Sequence, residues 1–336
     1  MKKVVLCAMG GTIACKIDKE KGGLIPVLSG SDLIEAIPEL KNICSVEILN
    51  VGNDPSSRVT PNLILNLSKI INDKLNEEDL SGVVVTHGTD TLEETAYLLD
   101  LLIDSEKTVV VTGAMRSVDE IMSDGSFNIL NSCRVAIDDK ARNNGVLVVF
   151  NEFIHPANTV TKTHSSNVST FQSPYWGPIG YVDIDKIVMK RKNINERKFN
   201  VNNLNKNCPL IKIYIDMDLS IFDFYIEKLS NFKTRDSIED ENKIDGLVLE
   251  AFGRGNLDEK IIPYIEKFIE KNIPVVIATR TFGRALNVYA YNGGGEHLKR
   301  IGAILAGEIT AAKARLKLIA ALSSNYSINE IRDLYN

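Results

Sequence analysis

The sequence lacks the features by which membrane, nucleic-acid-binding and disulfide-bonded proteins are identified. No apolar run approaches the roughly 20 residues that a membrane-spanning helix needs, and the run after Met1-Lys2-Lys3 is too short for a secretion signal. A net charge of -5 provides no basic excess to attract nucleic acid. The five cysteines are odd in number and form no C-x-x-C pair, which disfavours disulfides and zinc sites. We therefore expect a cytoplasmic protein that binds neither membrane nor nucleic acid.

Apolar strand-like runs alternate with amphipathic helical segments along the chain. With 336 residues, 44% of them hydrophobic, the chain is long enough for two domains. The alternation predicts an α/β fold with mainly parallel sheets. A polar, charged stretch predicts a linker at 186–208, between an N-terminal α/β domain at 1–185 with flavodoxin-like layers and a smaller C-terminal parallel-sheet domain at 209–336. The predicted strands are 4–8, 45–51, 83–86, 108–112, 146–150, 211–215, 246–250, 275–278 and 301–305, and the predicted helices are 30–36, 61–75, 92–103, 128–137, 219–229, 258–271 and 310–322.

Threonine hydroxyls follow two of the predicted strands at the points where the strands end. Thr12 comes after the glycine turn that closes the first strand, and Thr89 and Asp90 come between the strand 83–86 and the next helix. Ligands of open α/β sheets bind at such carboxyl ends of strands. The glycine turn also fits a structural turn or a phosphate loop, although neither G-x-G-x-x-G nor G-x-x-x-x-G-K-[ST] is present. The pattern indicates hydroxyl nucleophile chemistry.

A threonine hydroxyl acts as a nucleophile only when a base or a neighbouring charge activates it. Lys162, flanked by hydroxyls in Val160-Thr-Lys-Thr-His164, is a candidate base if burial and neighbours lower its proton affinity, and a solvated loop lysine is the alternative. His87 fits a structural hydrogen bond as well as catalysis. For His155 and His164, surface or hydrogen-bonded loop positions are the simpler interpretation.

Several long motifs of the N-terminal half occur together and in order. They are Gly-Gly-Thr-Ile-Ala at 10–14, Thr-His-Gly-Thr-Asp-Thr-Leu-Glu-Glu-Thr-Ala at 86–96, and shorter segments at 112–116, 123–128, 145–151, 160–163, 170–173 and 177–181. This series resembles the bacterial-type L-asparaginase and glutaminase-asparaginase family, with a looser match in the C-terminal half. The resemblance implies hydrolysis of the amide of a small amino acid such as L-asparagine, with release of ammonia and no metal or organic cofactor. It also implies a homo-oligomer, a dimer or a tetramer.

The resemblance assigns chemical roles to four residues. The hydroxyl that matches Thr12 attacks the side-chain amide and forms an acyl-enzyme intermediate, which water then hydrolyses. Thr89, Asp90 and Lys162 match a second cluster, in which the lysine supports proton transfer through the threonine. Asp90 is also the anchor for the substrate amino group.

Substrate binding is assigned to a serine pair and two glycine turns. In the family a serine holds the substrate carboxylate, and the matching stretch at 55–61 places that role on Ser56, with Ser57 adjacent. Backbone N–H groups at the Gly11–Thr12 and Gly88–Thr89 turns are suited to stabilise the oxyanion. Asparagine is a small zwitterion. Its site therefore needs an acceptor for the ammonium, donors for the carboxylate and a nucleophile beside the amide carbon, all close together.

The sequence departs from the family at positions that bear on the substrate. Leu24 stands where family members usually carry a loop tyrosine that orients the nucleophile. Arg254 falls where an asparagine is common, in a stretch that resembles the family loop by which one subunit reaches its neighbour's site. Tyr291 and Glu296 are further candidate contacts there. The alternatives are hydrolysis of glutamine, D-asparagine or a modified asparagine, an asparagine-binding sensor, and a tRNA-dependent amidotransferase subunit. The last is disfavoured because such subunits commonly have an extra N-terminal domain.

Overall fold

The computed structural model of the chain describes residues 1–230 and 243–335. The chain divides into two compact units, Met1–Lys198 and Phe199–Asn336. The first residues of the predicted linker form a strand of the first unit, Lys186–Met189. This contact-based division does not test the predicted domain boundaries at 185 and 208, which stay predictions. Within the described ranges, no helix has both the length and the apolar character needed to cross a membrane.

An eight-stranded mixed sheet is the centre of the first unit. The strands of this unit are β1 (Lys3–Ala8), β2 (Cys15–Asp18), β3 (Gly23–Pro26), β4 (Ser45–Asn50), β5 (Leu80–Thr86), β6 (Thr108–Thr112), β7 (Val146–Phe150), β8 (Phe153–Pro156), β9 (Thr161–Lys162), β10 (Phe171–Gln172), β11 (Gly180–Asp183) and β12 (Lys186–Met189). The sheet order is β12-β11-β8-β7-β6-β5-β1-β4. The run from β7 to β4 is parallel, and β8, β11 and β12 extend it antiparallel. The pairs β2–β3 and β9–β10 form separate antiparallel hairpins.

The order of the parallel strands defines where a ligand site is expected. Numbered along the chain, the five strands run 2-1-3-4-5, which is the flavodoxin-like order. Its switch point, where successive connections leave in opposite directions, lies between β1 and β5. The predicted α/β class with flavodoxin-like layers is therefore confirmed.

Helices cover both faces of this sheet, which is why its central strands are continuously apolar. They are α1 (Gly30–Glu35), α2 (Pro61–Leu75), α3 (Leu92–Leu102) and α4 (Gly125–Ile137). Residues of α1 and α4 share one core cluster with Val84 of β5, and α2 packs against α3. Val83, Val84 and Val85 are fully buried. Hydroxyl side chains cap the N-termini of two helices: Ser29 forms a capping box at α1, and Thr60 accepts from Leu63 N at α2.

The second unit is a smaller layered domain around a four-stranded parallel sheet. Its strands are β13 (Leu210–Lys212), β14 (Leu247–Ala251), β15 (Val275–Thr279) and β16 (Ile304–Leu305), in that order across the sheet. Its helices are α5 (Ser220–Ser230), α6 (Ile262–Glu270), α7 (Gly295–Arg300), α8 (Ala311–Ser323) and α9 (Ile328–Leu334). The predicted helix at 258–271 is a 3-10 turn at Glu259–Ile261 followed by α6, which begins beside Pro263. The parallel-sheet prediction for this half is confirmed.

Candidate active site

The first strand end of the site is a glycine turn that contacts the second strand end. After β1, the Met9 backbone N donates to Thr86 O at 3.1 Å, which ties the turn to β5. Gly11 has φ 85° and ψ −176°, a region that is essentially restricted to glycine. A Cβ on Gly11 would lie 2.3 Å from Gly88 Cα, so the two backbones touch. The half-buried Thr12 follows, and its hydroxyl makes no hydrogen bond within the described ranges.

The second strand end holds its turn through a buried histidine. The His87 ring places Nδ1 2.7 Å from Gly88 O and Nε2 3.0 Å from Thr95 Oγ1. A carbonyl oxygen only accepts, so Nδ1 carries the proton and Nε2 accepts from the Thr95 hydroxyl. Burial lowers the pKa of His87, which favours this neutral form, while its bond to Gly88 opposes the shift. Both ring nitrogens are engaged, so the geometry supports the structural interpretation of His87.

The orientation of the Gly88–Thr89 peptide follows from that contact. Its carbonyl points to the imidazole, and the N–H of a trans peptide points the opposite way. The Thr89 N–H is thereby directed away from the buried ring. Its assigned role as an oxyanion donor stays a prediction.

Lys162 joins the cluster from a hairpin distant in sequence. Its Nζ donates to Thr89 Oγ1 at 2.9 Å and to Asp90 Oδ1 at 2.8 Å. The side chain is 17% exposed, whereas that of Asp90 is 72% exposed and Thr89 is buried. These contacts rule out a solvated loop lysine. The structure therefore brings together Thr89, Asp90 and Lys162, the three residues that the family resemblance assigns to one cluster.

The serine pair lies against the same turn. Ser56 is buried in a 3-10 turn, and a Cβ on Gly88 would lie 2.7 Å from its Oγ, so a side chain there would displace the serine. The Thr91 hydroxyl donates to Ser56 O at 2.8 Å and fixes the turn from the start of α3. Ser57 is exposed beside it. The switch point therefore gathers hydroxyls, a carboxylate and an ammonium.

Two residues without a predicted role support this arrangement. Thr91 holds Ser56, as above, and Glu93 accepts a hydrogen bond from the backbone N of Lys162. Both residues belong to the 86–96 motif, so the sequence marked the segment that contains them. Their partners are backbone groups, which leave no mark in a sequence.

The loop region and the other histidines play different parts. The backbone of Leu24 pairs with that of Ile17 in the β2–β3 hairpin, and its side chain lies outside the described part of the chain. The Ile17 N donates to Asp119 at 2.9 Å. His155 is buried with Nδ1 3.0 Å from Ser173 Oγ, and exposed His164 accepts from two backbone N–H groups of its own loop.

The candidate neighbour-subunit contacts lie in the second unit. Arg254 is exposed in the turn after β14, with its carbonyl accepting from Leu286 N at 3.0 Å. Tyr291 is 54% exposed and stacks near Tyr289 with ring centroids 5.6 Å apart. Glu296 accepts from Asn287 Nδ2 at 3.0 Å. Their assigned roles stay predictions.

Similarity to known proteins identifies the family. Residues 3–195 match the family described as "Asparaginase, N-terminal", and residues 207–335 match "Glutaminase/Asparaginase C-terminal domain". The chain is 34% identical over 334 residues to the L-asparaginase of Bacillus licheniformis, covering 96% of each protein. It is 31% identical over 342 residues to L-asparaginase 2 of Escherichia coli (strain K12), covering 100% of this chain and 93% of the relative. The chain belongs to the asparaginase family and is an amidohydrolase.

A relative with a different name is also similar. A glutamyl-tRNA(Gln) amidotransferase subunit of Methanosphaera stadtmanae is 28% identical over 348 residues, covering 99% of this chain and 75% of the relative. As for metals, the described residues contain no group of three or more His, Cys, Asp or Glu placed to hold an ion.

Proposed function

We propose that this chain hydrolyses the side-chain amide of L-asparagine to L-aspartate and ammonia through an acyl-enzyme on Thr12. The observation that carries the proposal is the contact of the Lys162 ammonium with both the Thr89 hydroxyl and the Asp90 carboxylate, at 2.9 and 2.8 Å. This cluster lies at the switch point beside the turn that bears Thr12. Membership of the asparaginase family supports the reaction class.

In the first step the Thr12 oxygen bonds to the amide carbon and the carbonyl oxygen becomes an oxyanion. The Thr12 hydroxyl is suited to this attack because it makes no intramolecular hydrogen bond within the described ranges. Backbone N–H groups at the Gly11–Thr12 and Gly88–Thr89 turns donate to the oxyanion. Such a donor contributes about 3 to 4 kcal/mol in other enzymes.

The leaving nitrogen takes its proton from Thr89. An ammonium has no lone pair, so Lys162 donates to Thr89 Oγ1 and leaves the hydroxyl proton of Thr89 free to pass on. The C–N bond breaks as that proton reaches the nitrogen. The proton lost by Thr12 then replaces it on the Thr89 hydroxyl. Water then attacks the ester carbon, one of its protons passes to the Thr12 oxygen as the ester bond breaks, and aspartate leaves.

The substrate's charged groups have matching partners in the site. Asp90 accepts from the substrate ammonium, and its exposed carboxylate is accessible to do so. Ser56 and Ser57 donate to the carboxylate. A pocket of such polar groups disfavours analogues that leave them unpaired.

The assembly and compartment are also proposals. We assign a homo-oligomer, most specifically a tetramer, in which Arg254, Tyr291 and Glu296 of one subunit approach the site of another. The exposure of Arg254 and Tyr291 is compatible with that role. Five free, buried cysteines fit a reducing cytoplasm. Full activity of a stable monomer in sedimentation and assay would contradict the shared site.

The second candidate, favoured by the amidotransferase relative, is ammonia production for another acceptor. The test of both is ammonia release from L-asparagine, D-asparagine and L-glutamine by the wild type, Thr12→Ala and Thr12→Ser. We expect highest turnover on L-asparagine, loss in Thr12→Ala and partial recovery in Thr12→Ser, which keeps a hydroxyl. Binding without turnover of any amide would favour a sensor, and turnover that survives both Thr12→Ala and Thr89→Ala would reject the mechanism.

A further inference from the structure

The backbone of Lys162 is anchored to the helix that carries its partners. The Lys162 N–H donates to the carboxylate of Glu93. Glu93 lies in the first turn of α3, three residues after Asp90, and is half-buried. One helical turn and the residues leading into it therefore hold the Thr89 hydroxyl, the Asp90 carboxylate and the anchor of the lysine that contacts both.

The hairpin that carries Lys162 has very short strands. Its strands β9 and β10 are two residues each, paired as Phe171↔Lys162 and Gln172↔Thr161. Two-stranded hairpins are marginal by themselves even when longer. The position of the hairpin on α3 therefore depends on contacts such as that of Glu93.

The position of a lysine ammonium also depends on the position of the backbone that carries the side chain. Its four-carbon stem is flexible, so the reach of Nζ alone does not define where the ammonium sits. Anchoring the Lys162 backbone restricts the region that Nζ can reach, and in the structure Nζ lies 2.9 Å from Thr89 Oγ1 and 2.8 Å from Asp90 Oδ1. A displacement of about 1 Å of a reacting group can cost on the order of a hundredfold in rate.

We infer that Glu93 is a positioning residue for the amide hydrolysis, acting by holding the Lys162 backbone so that its ammonium polarises Thr89. This inference rests on the proposed function. The competing explanation is that Glu93 only places negative charge at the positive end of the helix. The two explanations predict different results when an uncharged hydrogen-bond acceptor replaces the Glu93 carboxylate. Such an acceptor preserves the bond to Lys162 N but not the negative charge.

Three variants separate these explanations. Glu93→Gln removes the charge and keeps an oxygen that accepts from Lys162 N, whereas Glu93→Ala removes both. Glu94→Gln, one residue along, removes a charge from the same helical turn and leaves the Lys162 N–H contact in place. Thermal unfolding of each variant verifies that the fold is retained.

The kinetic test uses L-asparagine at saturating and limiting concentrations. We expect kcat to fall about tenfold to a hundredfold in Glu93→Ala, because Thr89 activation is lost, with a smaller change in KM through the contact of Lys162 with Asp90. Glu93→Gln and Glu94→Gln should stay within about threefold of wild-type kcat. An unchanged kcat in Glu93→Ala, or a Glu93→Gln variant as slow as Glu93→Ala, would overturn the inference.

A second measurement is independent of turnover. Amide hydrogen exchange of Lys162 should be faster in Glu93→Ala than in the wild type and near wild type in Glu93→Gln. Equal exchange in all three proteins would reject the anchor even if the enzyme is active. If the wild type hydrolysed no amide but the exchange pattern held, the proposed function would fail while the anchor stood.

Discussion

Gly11 lies against Gly88 with no room for a side chain between them, since a Cβ on Gly11 would fall 2.3 Å from Gly88 Cα and 2.4 Å from Gly88 N. This contact joins the two strand ends that meet at the switch point. It places the turn bearing Thr12 beside the turn bearing Thr89. The site therefore depends on two glycine backbones before any catalytic side chain is considered.

Gly11→Ala should consequently destabilise the fold and abolish amide hydrolysis. The new methyl meets backbone atoms that cannot move independently, and φ 85° disfavours any side chain. Gly22→Ala is the matched control, because Gly22 also has a positive φ, of 68°, but open space around it. We expect Gly22→Ala to cost about 1 to 2 kcal/mol and keep activity. Equal unfolding free energies for the two variants in urea would show that the contact is unimportant.

Thr91→Val should weaken substrate binding more than it slows the chemical step. The variant loses the bond of 2.8 Å to Ser56 O that fixes the serine turn. A hydrogen bond of this kind contributes about 1 kcal/mol, so KM for L-asparagine should rise roughly fivefold with kcat within about twofold. Thr91→Ser retains the hydroxyl and should behave like the wild type. Steady-state kinetics that show an unchanged KM in Thr91→Val would remove Thr91 from the binding site.

His87 should make the protein less stable as the solution becomes acidic. Its pKa is lowered in the folded chain by burial, so the unfolded chain binds a proton first. The free energy of unfolding therefore decreases as pH falls below about 6.5 and through the lowered folded-state pKa.

His87→Gln provides the comparison. The variant has no such proton uptake, so its deficit relative to the wild type should narrow as pH falls from about 7.5 to about 5.5. Urea titrations across this range would reject the prediction if the deficit of His87→Gln stayed constant.

A cluster of charges on the first unit should contribute to stability until strongly acidic pH. Lys3 and Lys74 each contact Glu47 and Glu77 within 3.0 Å. The bonds to Lys74 and Lys3 lower the pKa of both carboxyls. Their stabilisation is present above the unfolded pKa of about 4.3 and is lost as pH falls through the lowered folded pKa.

Lys74→Met should reduce this acid-induced loss, because it removes the larger cause of the shift at both carboxyls. Lys69→Met, on the exposed face of the same helix, should leave the loss as in the wild type. The measurement is unfolding free energy between about pH 5 and pH 3 at low salt, since salt screens partly exposed pairs. Identical profiles for the two variants would contradict the account.

Patterns within a single element predicted the central strands and helices. Val83–Val85 is continuously apolar because helices cover both faces, and this run correctly marked β5. The short strands β8, β11 and β12 were missed, since four residues such as Phe153–Pro156 are too few to display a period. Likewise Pro263, rather than the apolar pattern, decides where α6 begins.

The site was predictable only as far as side chains define it. Thr12, Thr89 and Asp90 follow strand ends and could be named from chain position, whereas Lys162 owes its placement to a hairpin that the pattern did not reveal. Glu93 could not be paired from sequence, because it accepts from a backbone N–H 69 residues away. Backbone partners become visible only when the fold is known.

The most direct test of the account is to locate the acyl-enzyme. The wild type would be mixed with L-asparagine, quenched in acid within the first turnovers, digested and examined by mass spectrometry for a peptide carrying one aspartyl group. We expect the ester on Thr12 and its absence in Thr12→Ala. An aspartyl ester on Thr89, or rapid ammonia release with no ester on any residue, would contradict it.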